Sequence, residues 1–161
     1  MALEIERKFL IKDDGYKKNS SKILYRQGYL ESGGACVVRV RIAGEKAFLT
    51  VKGTSKGAVR QEFEYPIPFS DGQEMLKLCE KPLIEKIRYT VSHGGMTWEI
   101  DEFLGENEGL VLAEIELLSP DQAFPKPGWL GEEVTGDPRY YNSNLIHEPF
   151  KSWPDSKEQS P

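Results

Sequence analysis

Charged residues in this chain recur two apart, segment after segment, with hydrophobic residues between them. Glu4, Glu6 and Lys8 alternate with Ile5 and Phe9, and Arg39 and Arg41 alternate with Val38, Val40 and Ile42. Lys46, Phe48, Thr50 and Lys52 oppose Ala47, Leu49 and Val51, and Arg60, Glu62 and Glu64 oppose Phe63 and Tyr65. Lys86 and Arg88 oppose Ile87 and Tyr89; Glu99 and Asp101 oppose Trp98 and Ile100; Glu114 and Glu116 oppose Ile115 and Leu117. Successive side chains of a strand point to opposite faces, so each segment is a strand with one charged face and one apolar face.

Turn signals separate these strands. Strands are expected at Glu4 to Ile11 and at about 23–31, 35–42, 46–52, 60–66, 82–91, 96–101 and 110–118. Ser32-Gly33-Gly34, Ala43-Gly44-Glu45 and Gly94-Gly95 mark turns, the second and third of them hairpins. Ser70 with Gln73 three residues on reads as a capping box opening a helix. Ser119-Pro120 reads as a short helix start, Trp129 as a packing anchor in an irregular stretch from 125 to 138, and 142–148 as a last short helix. The 161 residues suit one domain, here 1–150, followed by a loose polar tail at 151–161.

A solvated sheet is the plain alternative, with its charged face in water and its apolar face under helices. Three features oppose it. The charged pairs are clean, like charges at i and i+2 repel, and the helices are too few to cover a flat sheet. Eight strands with short links close into a small barrel. The expected class is therefore mainly β (α+β): a closed eight-stranded antiparallel barrel, or tunnel, with a charged interior and a few short outer helices.

Charges inside a barrel must be paired or bound to metal or ligand. Carboxylates suit a hard divalent ion, and Arg and Lys suit phosphate oxygens. Both sets in one cavity imply a small polyanionic ligand that carries its own metal, as a polyphosphate does. Net charge is −5, from 21 Lys+Arg against 26 Asp+Glu, which argues against a nucleic-acid face. No apolar run approaches a membrane span and no signal-peptide pattern opens the chain, so a cytoplasmic protein is expected. Cys36 and Cys79 lack metal-ligand spacing and are expected as buried reduced thiols. With only His93 and His147 present, histidine-based nucleophilic catalysis has little material. Outer-wall apolar residues leave room for a homodimer, which no sequence pattern decides.

Glu4-Ile5-Glu6-Arg7-Lys8-Phe9 resembles the ExExK signature of the CYTH superfamily, the triphosphate tunnel metalloenzymes. Arg39-Val40-Arg41, Lys52, Arg60-Gln61-Glu62-Phe63-Glu64, Glu85-Lys86-Ile87-Arg88-Tyr89, Glu99-Ile100-Asp101, Glu114-Ile115-Glu116 and Arg139-Tyr140 recur in the family's order. The resemblance is greatest to the small bacterial members, which cleave inorganic tripolyphosphate to pyrophosphate and phosphate. It implies Mg²⁺ or Mn²⁺, two per site, held by Glu4, Glu6, Glu114 and Glu116, with Glu62 and Asp101 completing the set. It implies substrate binding by Lys8, Arg39, Arg41, Lys52, Arg60, Lys86, Arg88 and Arg139. Glu64 and Glu99 would orient neighbouring cations, and Lys8 with Tyr29 would form a proton-transferring dyad.

Metal-assisted phosphoryl transfer to water is the reaction expected of such a site. Three other readings use the same scaffold. A class IV-type adenylate cyclase needs a pocket for base and ribose, of which no motif is evident. A thiamine or nucleoside triphosphatase needs an aromatic platform at the mouth. A non-catalytic polyphosphate-binding module would keep the basic set and dispense with several carboxylates.

Overall fold

A computed structural model of the chain describes residues 3–31 and 34–154. The expected turn at 32–34 lies partly outside the described residues, and so does the tail from 155. The strands are β1 (Leu3–Ile11), β2 (Ser21–Glu31), β3 (Val37–Ala43), β4 (Lys46–Lys52), β5 (Val59–Ile67), β6 (Ile84–His93), β7 (Met96–Phe103), β8 (Val111–Glu116) and β9 (Leu130–Glu133). Helices are α1 (Phe69–Leu78) and α2 (Asn142–Leu145). Among the described residues no helix is long and apolar enough to cross a membrane.

The order β5-β4-β3-β2-β6-β7-β8-β1 closes on itself through pairing of β1 with β5, and every pair is antiparallel. The register keeps the charged positions side by side around the ring. Lys8 stands opposite Glu114, Arg39 opposite Thr50, Lys52 opposite Glu62, and Arg88 opposite Asp101. A slip of one residue in any strand would turn its charged set outward and its apolar set in, so the pattern itself fixes the pairing.

β1 closes the barrel with only its first half. Leu3 to Ile5 pair with β5, and Phe9 and Ile11 pair with β9 across a register shift. β9 lies in the stretch read as irregular. Its four residues carry no usable period; they become a strand because β1 offers an edge where β5 has departed.

The apolar outer faces are covered in two places. Phe9, Trp98, Ile100 and Ile115 pack with Tyr16 and Trp129, and Trp98 and Trp129 meet edge to face at 5.5 Å. Val40, Ile42 and Ala47 lie under Leu76 of α1 and Cys79. Two glycines permit this approach. A Cβ at Gly72 would sit 2.6 Å from that of Ala47, and one at Gly28 would sit 2.6 Å from that of Cys79.

A third cluster plugs one end of the barrel. Tyr29, Val37, Ile84, Phe103 and Leu112 have the inward parity of the charged residues but pack against Tyr140, Leu145 and Ile146. Along each strand the interior therefore changes from charged to apolar, and the C-terminal segment stoppers the apolar end.

Several local expectations change. α1 starts at Phe69 after Pro68 and has no side-chain cap, so the Ser70 box does not form. The Ser119-Pro120 segment is a turn that Gln122 closes by accepting from the Leu118 N–H at 2.6 Å. α2 is only four residues long. Cys36 is exposed rather than buried, while Cys79 is buried; both are free thiols. The start of the expected tail is packed, with the Trp153 ring 5.2 Å from Tyr140.

Candidate active site

The barrel interior is a cavity of about 340 Å³ whose charged lining comes from β1, β3, β4, β5, β6, β7 and β8. In the eight-stranded ring β2 lies across from β1, β3 across from β8, and β6 across from β5. That order sorts the charges into two walls. Glu4, Glu6, Glu62, Glu114 and Glu116 stand on β1, β5 and β8; Arg39, Arg41, Lys86 and Arg88 stand on β3 and β6.

Two lysines are embedded in the acidic wall. Lys8 Nζ lies 3.4 Å from Glu6 and 3.2 Å from Glu114. Lys52 Nζ lies 3.3 Å from Glu4 and 3.2 Å from Glu62. In each carboxyl pair the two members are pushed apart in acidity. Burial, with Glu114 beside it, raises Glu6 to about 8. Glu114 would also be raised by burial, but Lys8 and Arg88 hold it well below the usual carboxylate range. Burial and a hydrogen bond to Glu62 raise Glu4; Glu62 is held low despite burial by Glu4 and Lys52. Glu116 is raised by burial and by Glu4. In each pair one carboxyl is thus raised and its neighbour held low, as expected of like charges placed close together.

Burial alone would depress Lys8, yet Glu114 and Glu6 hold it above the ordinary lysine range. Among the described residues no three carboxylates converge as a ready-made metal cluster, since ammonium groups sit between them. The donor set nevertheless fits a hard divalent ion. It consists of carboxylate oxygens of Glu4, Glu6, Glu62, Glu114 and Glu116, with Lys8 and Lys52 as the lysines set among them.

The basic wall has the opposite imbalance. Asp101, 0% exposed, accepts from Arg88 at 2.7 and 2.8 Å and lies 2.7 Å from Lys86 Nζ. These cations hold its acidity near 2 despite burial. Lys86 is depressed to about 7 by burial and by Arg88 and Arg41 nearby; Arg41 is depressed by burial, Arg39 and Arg88. Arg39 Nη2 donates to Thr50 at 3.2 Å and Glu64 at 3.3 Å. Its buried Nε has no hydrogen-bond partner among the described residues. An unpaired buried N–H on a guanidinium is costly and marks where an acceptor oxygen belongs.

The structure brings most of the expected residues to this cavity. Arg60 lines it while donating to the Gly53 carbonyl at 2.6 Å; Glu64 accepts from Arg39, and Glu99 pairs with Arg88. Asp101 is placed differently from a metal ligand, because both its oxygens are engaged by cations of the opposite wall. Arg139 lies outside the tunnel, bound to Asp137 at 2.9 Å and stacked on Tyr140 and Trp153. Lys8 and Tyr29 line the cavity from strands across the ring; the Tyr29 hydroxyl accepts from Gln27 at 3.2 Å, and Lys8 stays with its carboxylates.

Three contributors were not anticipated. The Lys8 N–H donates to Thr135 Oγ1 at 2.9 Å, where β1 changes partner. Gln27, fully buried, and Asn142, from the C-terminal segment, hydrogen-bond the basic wall. Gln27 shares the inward parity of Tyr25 and Tyr29, which was its one available signal; Thr135 and Asn142 had none.

Comparison with known proteins places this geometry. A CYTH domain is matched over residues 2–141. An inorganic triphosphatase of Acetivibrio thermocellus is 55% identical over 154 residues, covering 95% of this chain and 99% of that protein. An inorganic triphosphatase of Nitrosomonas europaea is 39% identical over 148 residues, covering 88% and 95%. The crystal structure of an inorganic triphosphatase superposes with a TM-score of 0.65 at 38% identity, covering 91% of this chain and 95% of the other. A closed tunnel of eight antiparallel strands with sorted interior charge and a match over most of its length make this chain a member of the CYTH family.

Proposed function

We propose that the chain hydrolyses inorganic triphosphate to pyrophosphate and orthophosphate inside the tunnel, as its relatives' activity implies. The observation that carries this reading is the sorting of charge. One wall holds Lys86 and Arg41, depressed by burial and by neighbouring cations, and beside them an Arg39 N–H with no partner among the described residues; the facing wall holds Glu6, raised by burial and by Glu114. A phosphate chain with its metal answers both demands at once.

Arg39, Arg41, Lys86 and Arg88 bind phosphate oxygens and neutralise charge that develops on the leaving pyrophosphate. Lys52 and Arg60 extend this set along β4 and β5. Glu4, Glu6, Glu114 and Glu116, with Glu62, hold the divalent ion; two carboxyl pairs favour two ions of Mg²⁺ or Mn²⁺. When bound, the metal supplies Lewis-acid neutralisation and a more acidic water. Lys8 stays an ammonium between Glu6 and Glu114, so its part is to donate to a phosphate oxygen, with Tyr29 facing it across the ring. Asp101 holds Arg88 and Lys86 in place for the substrate.

A substrate panel tests this: tripolyphosphate, pyrophosphate, ATP, thiamine triphosphate and long-chain polyphosphate, each with Mg²⁺ and Mn²⁺. Preferred phosphate release from tripolyphosphate is expected. Cyclic AMP from ATP, or binding without turnover, would replace the reading. Lys8→Met is expected to lower turnover far more than substrate affinity, and unchanged turnover would remove Lys8 from the chemistry.

A further inference from the structure

Two neutral amides stand among the cations of the basic wall. Gln27 Oε1 accepts from Arg41 Nε at 2.9 Å, and Gln27 Nε2 donates to Asn142 Oδ1 and to Tyr29 Oη, both at 3.2 Å. Asn142 Oδ1 also accepts from Lys86 Nζ at 2.7 Å. The amide orientations are forced. Turning Gln27 over would set its NH₂ against the Arg41 N–H, and turning Asn142 over would set its NH₂ against an ammonium. Arg41 therefore donates to Gln27, and Gln27 and Lys86 both donate to Asn142 Oδ1, on which the contacts from the two cations converge.

Gln27 is on β2, between β3, which carries Arg41, and β6, which carries Lys86. Asn142 comes from outside the barrel, beside the segment whose Leu145 and Ile146 plug the apolar end. Its neighbour Tyr141 shares a hydrogen bond with Ser55 of the β4–β5 loop at 3.0 Å. The plug thus reaches the charged cavity through Tyr141, Asn142 and Ser143, of which Asn142 bonds the basic wall. Beside the Asp101 carboxylate, the neutral Asn142 oxygen satisfies another donor of Lys86 without adding a further negative charge, and so fixes its position.

We propose that Gln27 and Asn142 are positioning residues, an amide relay through which the docked C-terminal segment holds Lys86 and Arg41 in the geometry that binds the phosphate chain. The relay rests on the triphosphatase reading for the nature of the ligand.

Asn142→Leu keeps the size of the side chain and removes the acceptor. Its expected effect is a fall in kcat/KM for tripolyphosphate of about ten- to a hundredfold, the range of a lost hydrogen bond to a charged group. The thermal midpoint should stay close to that of the parent, because Leu145 and Ile146 still seat the plug. In a Lys86→Met background the same substitution should cost clearly less, only what reaches Arg41 through Gln27, whereas in a Lys52→Met background its full cost should remain. Asn142→Asp, which retains the acceptor oxygen, should recover kcat while raising KM through its negative charge. Unchanged kinetics in Asn142→Leu, or equal costs in the two backgrounds, would overturn the relay. Parent protein without tripolyphosphatase activity would instead overturn the functional reading, so the two failures are separable.

Discussion

On the basic wall one buried carboxylate, Asp101, holds two cations with both oxygens; on the acidic wall Lys8 is divided between Glu6 and Glu114, and Lys52 between Glu4 and Glu62. Both walls are charged and built on strands of alternating pattern. They differ in their balance of charge. The basic wall is locked by its own anion, Asp101, while the acidic wall sets Lys8 and Lys52 among five carboxyls. Lys8 and Lys86 show the difference within one residue type. Both have inward parity, Lys86 buried and Lys8 half-buried, yet Lys8 is raised by Glu114 and Glu6 against the effect of burial, and Lys86 is depressed by burial, Arg88 and Arg41.

Breaking the lock should cost most. Asp101→Asn leaves Arg88 and Lys86 buried without their counter-charge, and about 3–5 kcal/mol of stability should be lost, read by chemical denaturation. A loss under 1 kcal/mol would mean that the wall is held some other way. Next comes Arg39→Met, which removes the guanidinium with the unpartnered N–H. Turnover should fall about a hundredfold, the scale of one lost oxyanion donor. Full activity would place the phosphate elsewhere.

The two walls should also respond to pH with opposite signs. Asp101, held near 2 against an ordinary 3.8, contributes stability that is present above about 4 and is lost as pH falls through about 2. Glu6, raised from 4.5 to about 8, contributes stability that is present below 4.5 and is lost as pH rises toward 8. In chelator-treated protein the melting midpoint should therefore fall between pH 5 and 8, and Glu6→Gln should flatten that slope. An unaltered slope would assign it to another group. The smallest effect is expected at the seam of the barrel. Thr135→Val removes the acceptor for the Lys8 N–H and should cost about 1 kcal/mol by thermal melting, with turnover changed only a few-fold.

Much of this was legible before any coordinates. Parity alone assigned Glu4, Glu6, Arg39, Arg41, Lys86, Arg88 and Glu114 to the interior, because strand geometry turns alternate residues to one face and register keeps them there. Closure followed from the poverty of helices. Asp101 has the same parity as Glu114, and nothing in the chain distinguished an anion that locks cations from one suited to metal. Arg139 had the right order in the family pattern but sits in a single 3-10 turn, Pro138–Tyr140, too short for a period to constrain direction.

What the sequence by itself determined is therefore which side chains face inward and that their charges demand ligand. Only the tertiary structure decided which charges meet, because neighbours across a ring depend on strand order and shear. It also decided that one end is plugged and that Asn142 enters the site from the plug, since contacts made by an aperiodic segment are set by where it docks.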